Sequence, residues 1–481
     1  MGAPVTEIRC PMSPRPDPRP SLSRWTWTAI ACASLVACGS PTPYQRPEVG
    51  LPASWPAAGA IRAPEPVAWT QLYTDERLQA LIRAALERNH DLRLALARME
   101  EARALWGVQR ADQLPNVSLG TSHTGARTPP MVQGNAGAIN TRRYDVGLNL
   151  LAFELDVWGR VASLSEAARL NFEASAEDRR TIRLGLISDV ANAYYAQLEA
   201  QQRLGLLTQS EQSREQVLSL TQRKREVGAA SDLDVALARG AWLNTRAETV
   251  AMRRQAEQAG TALALLVGGQ LPGTLPAGLP LGLQSMNLRW DRNLPSDVLL
   301  QRPDVRAAEA RLMAAHANIQ AARVAFLPRL QLTGLLGSAS PAFNNLMGGG
   351  SSAWSFVPSL QLPIFDGGRL DAGVDLAQAR KNQWVVGYEK TLQQAFREVA
   401  DLLVARDTLR EQVQAQQAAL ESQRERLRLT ELRHRNGAAS LIEWLDAQRD
   451  ALAAEQGVAQ TQRQWLSASA LLFKALGGGD S

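Results

Sequence analysis

The chain has three cysteines, Cys10, Cys32 and Cys38, and all lie in its first 38 residues. The body after them therefore has no disulfide and no thiolate metal site. Its stability must come from packing or from association between copies. No apolar run approaches the roughly 20 residues of a membrane-spanning helix, and mean hydropathy is −0.20. Charge of one sign is scarce as well, since the net charge is +5 over 481 residues. Four arginines against Glu7 and Asp17 place about +2 of this in residues 1–37. What remains is no nucleic-acid footprint. The four histidines, His90, His123, His316 and His434, are scattered, with no HExxH and no metal-ligand spacing. Gly348-Gly349-Gly350 has no following Lys-bearing helix to make it a phosphate cradle, so it reads as an external loop. No nucleophile elbow or dinucleotide fingerprint is present. The sequence points to no catalytic residue, no cofactor and no metal. Proline is missing from two long stretches, and there the positive evidence begins.

At the N-terminus, Trp25 to Ala37 forms an apolar core of signal-peptide length, too short to span a bilayer. Leu35-Val36-Ala37-Cys38 follows and resembles a bacterial lipobox. Residues 1–37 are expected to be a lipoprotein signal peptide, with Met1 or Met12 as its start, and Cys38 the lipidated residue. Gly39 fits sorting to the outer membrane. Residues 38–74, rich in Pro and Ala, read as an extended lipid-anchored arm.

The remainder is one pattern written twice. A helix from Asp75 to about Ala111 stops before Leu114-Pro115. Val117 to Thr124 reads as a strand, and 125–140 as a loop. A second strand, Tyr144 to Leu150, alternates apolar with polar residues, which gives a sheet one apolar face. A run of roughly 68 proline-free residues then ends at Val227-Gly228, and a return helix reaches Val267. At about 1.5 Å per residue the run spans about 100 Å. The second half repeats this order. Asp304 and Arg306 lie 213 positions after Asp91 and Arg93, and Leu327-Pro328 lies 213 after Leu114-Pro115. Gly368-Arg369 lies 209 after Gly159-Arg160, and Gly437 lies 209 after Gly228. Constant offsets in constant order mark a duplication. We place the first repeat at 75–272, a linker at 273–296 and the second repeat at 297–476. In the second long run Val385, Tyr388, Leu392, Ala395, Val399 and Leu402 follow coiled-coil spacing, and Phe396 and Leu403 begin a second stripe.

Each half offers two strands, so one chain offers four. Four strands close no membrane barrel, for which eight is about the minimum. Three chains would supply about twelve and remove the open edges. The alternative is a lipid-anchored periplasmic coiled-coil adaptor or rod without a pore. It does not require the strands or the full duplication.

The chain resembles the TolC-like outer membrane factors in their lipoprotein branch. The residues that carry this are Cys38, Trp69, Leu78-Gln79-Ala80-Leu81-Ile82, Asn89-His90-Asp91-Leu92 and Leu155-Asp156-Val157-Trp158-Gly159-Arg160. Arg302-Pro303-Asp304, Pro363-Ile364-Phe365-Asp366-Gly367-Gly368-Arg369, Gly437 and Leu445-Asp446-Ala447-Gln448-Arg449 complete them. The resemblance implies a mainly α protein with membrane β-structure: a homotrimer with a 12-stranded β-barrel, four strands per chain, continued by a periplasmic α-helical barrel. It implies a passive exit duct in a tripartite efflux pump, with no catalysis. Its partners would be a periplasmic membrane-fusion adaptor, an inner-membrane pump and outer-membrane lipid. It implies adaptor docking at the tips Val227-Gly228 and Asn436-Gly437, and a periplasmic gate ringed by Asp234, Glu443 and Asp446. This sequence has Glu443 where the family often has Asp, His434 where Tyr is common, and Ala439 where an Arg can lock the gate, leaving Arg433 or Arg435 as substitutes. Trp354 and Phe356 are candidates for an aromatic girdle.

Overall fold

The computed structural model of the chain describes residues 43–52, 55, 68–129, 137–286 and 295–478. Cys38 and the proposed signal peptide lie outside the described residues. Two helices, α1 (Glu76–Arg88) and α2 (His90–Ala111), precede strands β1 (Val117–Thr128) and β2 (Ile139–Leu155). The long helix α3 (Arg160–Glu226) and the return helix α4 (Asp232–Val267) complete the first half. The second half runs α5 (Pro303–Val324), β3 (Arg329–Ser340), β4 (Ser352–Gln361), α6 (Arg369–Arg435) and α7 (Leu441–Ala475).

The long helices are 67 residues each, or about 100 Å at 1.5 Å per residue. Both start by one device. A glycine with positive φ turns the chain out of the strand, Gly159 at 75° and Gly368 at 84°. An aspartate just before it then takes up helix N–H groups left without partners. Asp156 accepts from Val161 N and Ala162 N, and Asp366 from Leu370 N. They also end alike, on Gly228 and Gly437, both at φ 74°. Gly228 N donates to Arg225 O and Ala229 N to Lys224 O, and the 434–438 turn repeats the pair. This is the paired closure of a helix on a left-handed glycine.

The expected helix over 75–111 is two. Asn89 adopts extended backbone and caps α2, accepting from Asp91 N at 2.9 Å and Leu92 N at 3.1 Å. Its amide donates to Leu266 O at 2.9 Å. A short polar side chain that finds backbone partners of its own competes with helix continuation, and here it also ties the break to the end of α4. Asp304 stands near the start of α5, where Arg302 binds it, Glu398 and Ala475 O together.

The strands form one antiparallel sheet in the order β1-β2-β3-β4. They are longer than the sequence reading, since β1 reaches Thr128 and β2 begins at Ile139. β2 carries an irregularity between Leu150 and Phe153, where Ala152 has φ 48°. The one extra residue, with Leu151 and Ala152 opposite the single Thr333, puts Phe153 and Leu155 on the face of Leu148 and Leu150.

The main cores lie where short helices wrap the middles of the long ones. One packs Leu78, Leu81 and Ile82 of α1 on Ile187, Val190, Tyr194 and Tyr195 of α3 and Phe473 of α7. The other packs Val305 and Leu312 of α5 on Tyr388, Leu392 and Val399 of α6. These α6 residues are the predicted seam. The second stripe is covered by the N-terminal arm. Trp55 stacks on Phe396 at 5.1 Å and donates Nε1 to Phe396 O at 3.0 Å. Nearer the sheet, Arg46 forks onto Glu309 at 2.7 and 2.9 Å.

Candidate functional site

Pairing registers show what each face of the sheet presents. One row across all four strands is Leu119, Leu148, Leu336 and Trp354. The next is Val117, Leu150, Gly334 and Phe356. Beyond the β2 irregularity, Leu155, Leu330 and Leu360 continue the same face. Trp354 is 76% exposed and Leu360 69%. A contiguous exposed apolar face of this kind suits a hydrocarbon environment, not water. The opposite face carries Ser118, Asn149, Leu335 and Ser355 in one row, and Ser122, Asp145 and Ala339 in another. At one level it is lined by Gly120, Gly147, Gly337 and Ala353 in register. There β2 and β3 approach so closely that a Cβ on Gly147 would lie 2.6 Å from Leu336 O. The outer edges of β1 and β4 have no partner strand among the described residues. No described helix is long and apolar enough to cross a membrane.

At the far ends of the long helices the two reversals meet. Val235 and Trp242 of α4 pack with Val217 and Leu218 of α3 and with Leu441, Trp444 and Leu445 of α7. His434 stacks on Trp444 at 5.0 Å, and its Nδ1 lies 3.0 Å from Ala439 O. This brace was not foreseen. The departure from Tyr at 434 was its only trace in the sequence. Val227, Gly228, Asn436 and Gly437 are exposed at the apex.

The three acidic residues expected at the gate each have a local partner. Asp234 closes a capping box with Ser231, accepting from Ser231 N at 2.9 Å and Ser231 Oγ at 2.7 Å. These bonds hold its carboxyl below the ordinary aspartate range, and the nearby His434 acts in the same direction. Glu443 holds the equivalent position in α7 and meets Ser440 Oγ at 3.1 Å. Asp446 pairs with Arg449 at 3.0 Å and is 45% exposed. Arg433 bonds Ala438 O and Arg435 bonds Glu431, so neither reaches these acids. The ion-pair partner of Asp446 is Arg449, three residues on. It also binds Asp450, which Arg426 of α6 reaches at 2.7 Å. Hydrogen bonds from Arg426, then Arg449, hold Asp450 below its usual range. Among the described residues no group of His, Cys, Asp and Glu is arranged to hold a metal.

A sheet with one hydrocarbon face and open edges, continued by helices of about 100 Å, defines a subunit of an outer-membrane channel. The comparisons make this specific. The family model described as outer membrane efflux protein matches residues 81–269 and 294–478. The chain is 40% identical to outer membrane protein OprJ of Pseudomonas aeruginosa, over 94% of this chain and 95% of that one. It is 38% identical to toluene efflux pump outer membrane protein TtgC of Pseudomonas putida, over 94% of both. Among solved structures it superimposes on the open MtrE outer membrane channel of Neisseria gonorrhoeae with a TM-score of 0.82 and 35% identity, covering 92% of this chain and 98% of that. A membrane protein from Pseudomonas aeruginosa gives 0.84 and 38%, covering 91% and 97%. The chain belongs to the outer membrane efflux protein family. It has the TolC-like fold and is an outer-membrane efflux channel component, not an enzyme.

Proposed function

We propose that three copies of this chain close into a 12-stranded barrel and one continuous helical duct, the exit of a tripartite efflux pump. The observation that carries this reading is the pair of edges without a partner strand among the described residues, on a sheet with opposed apolar and polar faces. Joining β4 of one copy to β1 of the next satisfies both edges, and four strands per chain make twelve from three. Helices of about 100 Å then carry the duct toward a periplasmic adaptor and an inner-membrane pump. The relatives' names include toluene and solvent efflux pump proteins. By analogy, the cargo is small toxic apolar compounds.

Cys38 is the proposed lipid anchor. Tyr44 and Arg46 lie beside His316 and Glu309 on α5, and α5 runs 15 residues from Glu309 to its end at Val324, next to the sheet. That is about 22 Å of helix. The six residues from Cys38 to Tyr44 span at most about 20 Å when extended, so the arm has the direction and reach to place a lipid at the membrane surface. Val227, Gly228, Asn436 and Gly437 are the proposed adaptor contacts. Asp234, Glu443 and Asp446 are the proposed gate, where threefold symmetry would set like carboxylates around the axis.

The chain has no cysteine after Cys38, so introduced cysteines pair cleanly. Ser355→Cys on β4, combined in turn with Ser118→Cys, Gly120→Cys and Ser122→Cys on β1, should give an oxidised band of three chains for at least one register. A dimer band, or an open ladder, would defeat the closed threefold arrangement.

A further inference from the structure

Directly below the sheet, α3, α5 and α6 enclose a hollow of about 480 Å³. Four arginines line it: Arg160 from the first turn of α3, Arg311 from α5, Arg329 from the start of β3 and Arg380 from α6. Asn171, Asn318 and the Trp384 indole supply the other polar groups, and among the described residues no carboxylate shares the lining. Arg160 forks onto Glu154 at 2.8 and 2.7 Å, and Arg311 pairs with Asp178. The guanidinium groups of Arg329 and Arg380 have no hydrogen bond or ion pair among the described residues. Asp156 and Asp112 also act on Arg160, and Glu154 also feels Arg329, so Arg329 and Arg380 are the guanidinium groups of the lining left without a hydrogen-bonded carboxylate.

Two observations place this hollow on the inner wall of the duct. On α5 the N-terminal arm contacts Glu309 and His316, whereas Arg311 and Asn318 line the hollow. Each is two residues further on, about 200° around the helix. An arm tethered to lipid lies outside the duct, so the hollow faces inward. The sheet agrees. Glu154 pairs with Gln331 on the polar face, and Arg329, two residues before Gln331, shares that face.

We infer that this wall is an anion-binding site, built by Arg160, Arg311, Arg329 and Arg380. Its ligand is a phosphate-, sulfonate- or carboxylate-bearing solute passing from the helical duct into the barrel. Guanidinium forks match such oxyanions in shape. Arg329 and Arg380, which have no bonded carboxylate among the described residues, repel each other until an anion enters, and low-dielectric walls strengthen their field. The proposed tip acids give the inner end of the duct the opposite sign, so the preference for charge reverses along its length. The inference rests on the trimeric-duct reading above.

The test is a planar-bilayer recording with inorganic pyrophosphate added on the barrel side. The wild-type pore should be blocked. In Arg329→Gln/Arg380→Gln the half-blocking concentration should rise about tenfold or more, and the reversal potential in a salt gradient should shift toward cations. Arg329→Lys/Arg380→Lys, which keeps the charge, should keep most of the wild-type reversal potential. Should the double Gln variant fail to assemble, Arg380→Gln alone removes a group with no partner and is read the same way. A conducting wild-type pore without block, or equal block in the Gln variants, overturns the site and leaves the duct. Absence of any pore from folded wild-type oligomer contradicts the duct itself, and the site falls with it.

Discussion

Asp75 ties together the core that α1 forms on α3, and removing it should loosen the whole midsection. It is 1% exposed. Its Oδ1 caps α1 through Arg77 N at 2.8 Å and Leu78 N at 3.4 Å. Its Oδ2 accepts from Tyr194 OH at 2.8 Å, Leu279 N at 3.0 Å and Gln284 Nε2 at 2.6 Å. These groups come from α3 and from the chain after α4, so one carboxylate joins three segments. In Asp75→Ala the cap goes, at about 1 kcal/mol. Three donors also lose their acceptor, at about 1–3 kcal/mol for each that stays dry. Gln284 keeps Leu279 O as a partner, and some water entry is expected, so we take about 3–5 kcal/mol in all. Asp75→Asn should recover little, because its amide N–H₂ must face either the helix N–H groups or the same three donors. The assay is thermal unfolding of detergent-solubilised protein, followed by circular dichroism. Both variants should melt well below wild type. An Asp75→Asn midpoint equal to wild type would refute the acceptor argument, and an unchanged Asp75→Ala would refute the whole account of this core.

Other consequences follow from the same reasoning. Gly337→Val should abolish assembly, because its Cβ would press on Val146 O and Gly147 Cα. Gly120→Ala meets only the movable Asn149 amide and should assemble, as read by heat-resistant oligomer on gels. Trp55→Ala should release the arm at a cost of about 3–5 kcal/mol, seen as faster proteolysis between Tyr44 and Trp69. Asp234 sits below its ordinary range in the folded chain, so its contribution to the tip is complete above the unfolded value of about 3.9. It is lost as pH falls below that through the depressed folded value. Hydrogen exchange at Ser231 N should therefore quicken in that acid window, and Asp234→Ala should show fast exchange at every pH. Asp446→Ala should enlarge single-channel currents. Unchanged currents would remove Asp446 from the gate.

The sequence carried the fold wherever one local residue sets the backbone. Gly159, Gly228, Gly368 and Gly437 all have positive φ, and the helices begin and end beside them. Strand alternation likewise showed the two faces of the sheet. What it did not carry was partnership over distance. The break at Asn89 depends on Leu266 O, 177 positions away, and a helical period running through both sides hides it. The second stripe on α6 was visible at Phe396, but its cover, Trp55, lies 341 positions earlier. The strands proved longer than predicted because backbone pairing continues through polar Arg127, Arg142 and Arg143 beyond the alternating segment. At the tips the acids were found by resemblance. Their local partners Ser231, Ser440 and Arg449 follow from spacings of three residues. The duct-wall arginines come from four separate elements, and no local pattern links them.

The central claim is a pore made of three chains. The most direct measurement is single-channel recording in a planar bilayer, using purified protein whose mass in detergent has been determined by native mass spectrometry. The account predicts a three-chain particle that inserts and conducts in discrete steps. A folded particle of any other chain number, or a three-chain particle that never conducts even as Asp446→Ala, would contradict it and favour the lipid-anchored rod.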